Sequence, residues 1–464
     1  MRKYILIFLG ILLFPAVIIA ATFYILFVPR ISSPNFAKAS NAQEAYLQDV
    51  EYLKNYADYD MSFSDESRKA RFIWYIDSIV SISPLFTPAQ FELTVARAVA
   101  LSDNGHSNVS PIGRSKKLNH LPIRFGSFKE GLYVLQARKD YQFLLGARVD
   151  SIASEPVEKL LDDLVPYFGG VENRSRLFAA LNLGSPELIH ALGYGTSDNQ
   201  VNFRFTLLDG NALSTTINAI PSENQAQPYG RTVYQYQLPE QDKEDWIHLM
   251  ADSSVPLYLS NPDAPYYHHY LDSLKTTYVR INFNYDVNDL SLIDYLDNVI
   301  NQIRKEEARH VIVDLRFNGG GTDATVNFSK ELPNILPETG KIFVITSAET
   351  FSAGIGAVAT IKYYGKEKVT IVGEPIGDRS RFIANGGTPM ILPNSGISIP
   401  VWSSIEDYGE GCWDWTTCFW LSPMFRKSGA GSLSPDISTP LKMANYLKGD
   451  DLALDTIASS IQSY

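Results

Sequence analysis

Cysteine is almost missing from this 464-residue chain: only Cys412 and Cys418 occur, with five residues between them. Two thiols are too few for a cysteine-based metal centre, and no histidine pair at helical ligand spacing accompanies them. In an oxidising compartment the pair would close a small loop over Trp413–Thr417; otherwise they stand as separate thiols. Basic clusters interleaved with aromatics are also absent. With a formal charge of −11, this argues against nucleic acid as a partner. No internal repeat recurs. No glycine-rich segment ends in the Lys-Ser/Thr pair of a phosphate loop.

What is present begins with one long apolar run. After Met1-Arg2-Lys3, the 25 residues Tyr4–Val28 carry no charge, enough to span a bilayer with some tilt. The basic residues before the run favour a cytoplasmic N-terminus, with everything after Arg30 exported. A cleaved signal peptide with Ala20-Ala21 at its end is the competing reading, although Phe23–Val28 continues the run beyond it. The remaining length and a 45% hydrophobic content suffice for a large core and about two or three domains.

Beyond a polar linker at Ile31–Asn41, Tyr46, Val50, Leu53 and Ala57 have helical spacing. A second helical block surrounds Phe72–Ile82. A third starts at Thr87-Pro88-Ala89-Gln90, a capping box with proline at the first helical position. Its apolar side holds Phe91, Val95 and Val99, and it is expected to stop near Gly105, delivering His106 onto a loop. From Pro122 to Leu208 the texture changes to short β-rich runs, including Gly131–Leu135 and Leu145–Ile152, and then an amphipathic stretch from Pro156 to Leu164. A PDZ-like module, which takes an extended peptide as an added strand, and an ordinary α+β insertion both fit.

Over Thr277–Gly373 strands and helices alternate regularly. Strands are expected at Tyr278–Ile281, His310–Leu315, Lys341–Thr346 and Val369–Val372. Helices are expected at Leu290–Arg304 (Ile293, Leu296, Ile300 and Ile303 inward), Asp323–Leu332 and Ser352–Tyr363. Alternation of this kind implies right-handed crossovers and a mainly parallel sheet. Ser352 stands where a strand gives way to an Ala/Gly-rich helix, beside unpaired N–H groups and the positive end of the helix dipole. That position suits an oxyanion, and it equally suits an ordinary helix N-cap. Gly319-Gly320-Gly321 follows the strand His310–Leu315 and permits close backbone approach. At the same edge of a parallel sheet, its N–H groups and those beside Ser352 would together form an oxyanion hole.

These pieces resemble the C-terminal processing (tail-specific) peptidases, with the related tricorn-protease core and interphotoreceptor retinoid-binding modules. The matching segments are Val311–Gly321, Val344-Ile345-Thr346 leading to Thr350-Phe351-Ser352-Ala353, and Val372-Gly373-Glu374-Pro375. Leu392–Gly396, Ser434-Pro435-Asp436-Ile437 and Asp450–Leu454 complete the order. Upstream, Leu101–His106 is similar to the family's Asp-Gly-His segment, with Asn104 inserted. The resemblance implies an α/β chain (α+β overall) with a crotonase-like ββα-type core and a mainly parallel sheet, an N-terminal helical cap and a PDZ-like middle module. The boundaries are an anchor or signal at 1–30, a linker at 31–42, the cap at 43–115, a PDZ-like or α+β module at 116–220, a connecting segment at 221–275 and a peptidase core at 276–464.

Carried over by position, Ser352 is the nucleophile, and the amides of Ala353 and Gly320 are the oxyanion donors, with Gly319 and Gly321 as alternatives. The lysine base of the processing peptidases is missing: Gly373–Gly377 is followed by Asp378 and Arg379, and arginine stays protonated. Lys362 lies about 15 Å along the helix. A Ser–His arrangement of the tricorn type remains, with His106 as base, since histidine titrates near neutrality. The tricorn core has serine just before its histidine, where this chain has Gly105. Asp103, Glu406, Asp407 and Glu410 are candidate orienting acids. Asn108-Val109-Ser110 is a glycosylation sequon that would crowd the site, which fits a eukaryotic secretory setting poorly. Trp402, Trp413, Trp415 and Trp420 are candidates to line an apolar cleft, or to pack in the core.

The reading implied is a membrane-anchored, extracytoplasmic serine peptidase acting on peptides or unfolded protein ends, at an inner membrane with its catalytic part periplasmic or extracellular. It needs neither metal nor organic cofactor. The alternative is a non-catalytic module that keeps the fold to bind a peptide or apolar ligand. The sequence sets no oligomeric state.

Overall fold

A computed structural model of the chain describes residues 31–110, 117–222, 231–234, 244–250, 255–414, 416–418 and 429–462, together with 14, 17–22, 24, 25 and 238. The apolar run Tyr4–Val28 therefore lies largely outside the described residues, as do Trp415 and Trp420. Among the described residues no helix is long and apolar enough to cross a membrane.

Three helices, Ala42–Leu53 (α1), Glu66–Ile82 (α2) and Pro88–Ala100 (α3), pack around Val50, Leu53, Phe72, Phe91, Val95 and Val99. The capping box of α3 is complete, with the Thr87 side chain on the Gln90 amide and the Gln90 side chain returning to Thr87. The helix ends at Ala100, sooner than expected, and a tight turn with Asp103 at φ 51° carries the chain to His106. Met390, Leu392, Ile399 and Val401 from far down the chain complete this core. Buried Asp49 accepts hydrogen bonds from the amides of Asn394 and Ser395, at 2.8 Å each, which accounts for the Leu392–Gly396 motif.

The middle of the chain is built on an antiparallel sheet whose main path runs Ile123–Phe128 (β1), Gly131–Arg138 (β2), Arg148–Ile152 (β3), Gln200–Thr206 (β4) and Ala212–Asn218 (β5). Helices Val157–Leu164 (α4) and Glu172–Asn182 (α5) pack on it through Leu160, Leu164 and Phe178. Strand β5 gives little sequence signal because only Ile217 of its seven residues is buried. Its seven-residue register with β4 holds it in place.

The last part contains strands Tyr266–Leu271 (β6), Thr276–Ile281 (β7), His310–Asp314 (β8), Ile342–Thr346 (β9), Val369–Gly373 (β10), Arg381–Ala384 (β11), Ser404–Asp407 (β12) and Ile437–Ser438 (β13). Six of them form one sheet in the order β13-β10-β9-β8-β7-β6, parallel except at the β6–β7 edge. Every residue of β7, β8 and β9 is buried, as a parallel sheet covered on both faces requires. Helices Leu292–Lys305 (α6), Val326–Ile335 (α7), Ala353–Gly365 (α8) and Leu452–Gln462 (α9) accompany it. Helix α6 differs from expectation in phase. Ser291 caps it, so Leu292, Leu296, Val299, Ile300 and Ile303 face inward and Ile293 is 48% exposed.

Candidate active site

Pairing of Asp314 with Ile345 and of Thr346 with Gly373 brings the C-terminal ends of β8, β9 and β10 to one edge. Two loops leave that edge side by side. The Phe351 amide donates to the Asn318 carbonyl (2.9 Å), and Thr350 Oγ1 donates to the Leu315 carbonyl (2.8 Å). Two fully buried amide side chains tie the loops together. Asn318 Nδ2 reaches Asn284 Oδ1 (2.8 Å), and Asn284 Nδ2 reaches the Ala353 carbonyl (2.8 Å).

Ser352 sits between the second loop and α8 with φ 53° and ψ −124°, a conformation that L residues rarely hold. An ordinary N-cap is extended and its side chain accepts an amide; Ser352 is neither extended nor capping. Gly320, with φ 104°, passes so close that a Cβ there would lie 2.6 Å from the Ser352 Cβ. Its own amide donates to Asn318 Oδ1 (3.0 Å), so it is engaged within the loop. Among the described residues the amides of Gly319, Gly321 and Ala353 meet no protein acceptor.

His106 arrives from the cap. Its ring is stacked between Phe351, at 4.2 Å between centroids, and Phe382 of β11, at 4.6 Å, with Trp402 edge-on at 5.8 Å. Trp402 Nε1 donates to the His106 carbonyl (2.7 Å), and Asn104 Nδ2 donates to the Ile383 carbonyl (2.8 Å), which pins the turn to β11. Asp378 Oδ2 stands 3.5 Å from His106 Nδ1, long for a formed hydrogen bond. Among the described residues neither ring nitrogen has a hydrogen-bond partner. Burial lowers the His106 pKa below its ordinary 6.5, outweighing Asp378, which raises it; Arg174 lowers it further.

Asp378 was not among the acids that the sequence suggested. Those are placed elsewhere: Asp103 pairs with Arg379 (2.9 Å), Glu406 accepts from Asn385 (2.7 Å), Asp407 accepts from the Glu410 amide (2.9 Å), and Glu410 is exposed. The signal was its position, beside the place where the processing peptidases carry their lysine. Lys362 Nζ is committed to the Ser432 carbonyl (2.6 Å). The tryptophans form no common cleft among the described residues, since Trp402 packs on His106 while Trp413 is 63% exposed. Cys412 and Cys418 are joined in a disulfide.

No family model matches the chain, and no curated protein sequence does. Solved structures do. Mature CPAF matches with a TM-score of 0.59 at 12% identity, over 91% of this chain and 97% of that one. CPAF complexed with lactacystin gives 0.58 at 12% identity, over 91% and 98%. The fold is that of mature CPAF. The photosystem II D1 C-terminal processing protease also aligns, over 89% of this chain and 99% of its own, at 12% identity and a TM-score of 0.36. Identity this low speaks for the fold alone, so the reacting residues rest on the geometry above.

Proposed function

We propose that the protein is a serine peptidase in which Ser352 is the nucleophile, His106 the base and Asp378 the acid that orients it. One observation carries this reading. An imidazole from the helical cap lies on Phe351, the residue just before Ser352, with a buried carboxylate facing its Nδ1. That carboxylate favours the tautomer protonated on Nδ1, which leaves Nε2 to accept the serine proton. The Ser352 oxygen attacks the peptide carbonyl, and the resulting oxyanion is held by the Ala353 amide and the unengaged glycine amides, Gly319 or Gly321. His106 then returns the proton to the leaving amine, and water releases the acyl group by the same route. In this mechanism the hydrogen bond from the Ser352 hydroxyl to His106 Nε2 forms when substrate enters. The mechanism uses no metal or organic cofactor.

The substrate class follows from the sequence resemblance and the fold: peptides or unfolded protein ends. Tethering to a membrane through Tyr4–Val28, with the catalytic part exported, belongs to the same proposal. Its support is the uncharged run and the Cys412–Cys418 disulfide, which suits an oxidising compartment. A fluorophosphonate probe tests the activity. Labelling of the wild-type chain that vanishes in Ser352→Ala is expected. Well-folded wild-type protein that takes no label would overturn the peptidase and favour a binding module.

A further inference from the structure

Arg174 lies on α5, outside the elements that carry Ser352 and His106, and is 9% exposed. No carboxylate pairs with it among the described residues, and its Nε has no hydrogen-bond partner. A buried guanidinium without a counter-ion is costly, so its placement calls for a reason. Its guanidinium carbon sits 3.7 Å from the centre of the Phe351 ring, and Nη1 donates to the Ala348 carbonyl (3.2 Å). The order through the site is therefore Arg174, Phe351, His106, Phe382, a stack joining four separate segments of the chain. Ala348 and Phe351 bracket the loop that ends at Ser352.

We propose that Arg174 is a positioning residue of the reaction, through which the middle of the chain clamps the nucleophile loop and keeps Phe351 and His106 in register. The assignment rests on the peptidase reading. Two charged groups influence the imidazole: Asp378 from the segment after β10, and Arg174 from α5. Phe351, Phe382 and Trp402 cover the rest of the ring without charge. Removing the Arg174 cation leaves Asp378 unopposed, so the imidazole midpoint rises and the acid limb of activity moves to higher pH. Loss of the clamp lets the loop shift, which costs rate more than binding.

The test uses the full chain with Arg174→Met and Arg174→Lys, each checked for folding by circular dichroism and melting. Cleavage of fluorescein-labelled casein is measured across pH, and the His106 ring is titrated by NMR. In Arg174→Met, kcat is expected to fall about 10- to 100-fold with little change in KM, and the His106 midpoint to rise. Arg174→Lys keeps the charge, so its midpoint should return toward wild type while the rate stays reduced. A midpoint and rate in Arg174→Met equal to wild type would overturn the role of Arg174 while leaving the peptidase standing. Arg174→Lys decides on its own if Met fails to fold: a rate equal to wild type, or a His106 midpoint displaced well above the wild-type one, would overturn the role too. A folded wild-type chain that neither cleaves casein nor takes the fluorophosphonate overturns both.

Discussion

The Asp378 carboxylate fills the space that any side chain at position 105 would need: a Cβ on Gly105 would lie 2.6 Å from Asp378 Oδ2. The glycine at that position is what admits Asp378 to His106. Gly105→Ala should therefore displace the acid rather than merely crowd the turn. We expect a loss of about 1–3 kcal/mol in stability from overpacking, and at least about a tenfold drop in kcat as the imidazole loses its partner. Urea unfolding and steady-state kinetics on the same preparation measure both.

The pH profile should carry the sign of burial. His106 titrates below 6.5 because burial disfavours the imidazolium more than Asp378 favours it. Activity requires the neutral ring, so the acid limb is expected at a midpoint below 6.5 and not on the alkaline side, as a lysine base would give. Asp378→Asn removes an influence that raises the pKa. The limb should then move further toward acid while kcat falls, because the imidazolium formed in the reaction is no longer stabilised. A limb that moves toward alkaline pH would count against Asp378 as the partner.

Ser352 holds φ 53° and ψ −124° at the start of α8, which glycine adopts without steric penalty. Ser352→Gly should abolish fluorophosphonate labelling and at the same time stabilise the fold by about 1 kcal/mol as backbone strain is relieved. Ser352→Ala should abolish labelling without that gain. A differential melting comparison of the two variants against wild type separates strain from chemistry.

The parallel core was legible because β7, β8 and β9 are buried on both faces and leave continuous apolar runs in the sequence. Ser352 and the glycine loop were legible because strand ends in such a sheet share an edge, so local position already implies proximity. Asp378 and Arg174 were not. Each reaches the site by tertiary contact, and nothing in the local pattern around Gly377-Asp378-Arg379 or Asn173-Arg174-Ser175 distinguishes a buried charge from a solvated one. Ile293 was misplaced for a related reason. Apolar residues at 292 and 293 leave the phase of α6 undecided until the Ser291 cap fixes its start. The amide pair Asn284 and Asn318 was missed because buried hydrogen-bonding asparagine reads in sequence as an ordinary loop residue.

Arg316 and Asp451, both in segments that resemble the family motifs, hold the sheet edge without entering the chemistry. The Arg316 guanidinium bonds Asp451 through Nη2 (2.8 Å) and Asp314 through Nε (3.1 Å), and all three side chains are buried. Asp451 also accepts the Ala453 and Leu454 amides (3.1 and 3.3 Å), capping α9, while Tyr278 donates to Asp314 (2.7 Å). Arg316→Met leaves two buried carboxylates uncompensated and should cost about 3–5 kcal/mol. Asp451→Asn retains a capping oxygen and leaves Arg316 paired with Asp314, so about 1–2 kcal/mol is expected, the range for a hydrogen bond weakened but not orphaned. In the double variant one carboxylate fewer is stranded, so the combined loss should be smaller than the sum. Urea midpoints of the four proteins give the coupling. Fluorophosphonate labelling of the folded Asp451→Asn chain should match wild type, since neither residue contacts Ser352 or His106; a labelling rate that falls in step with stability-independent kcat would place this pair in the catalytic machinery instead.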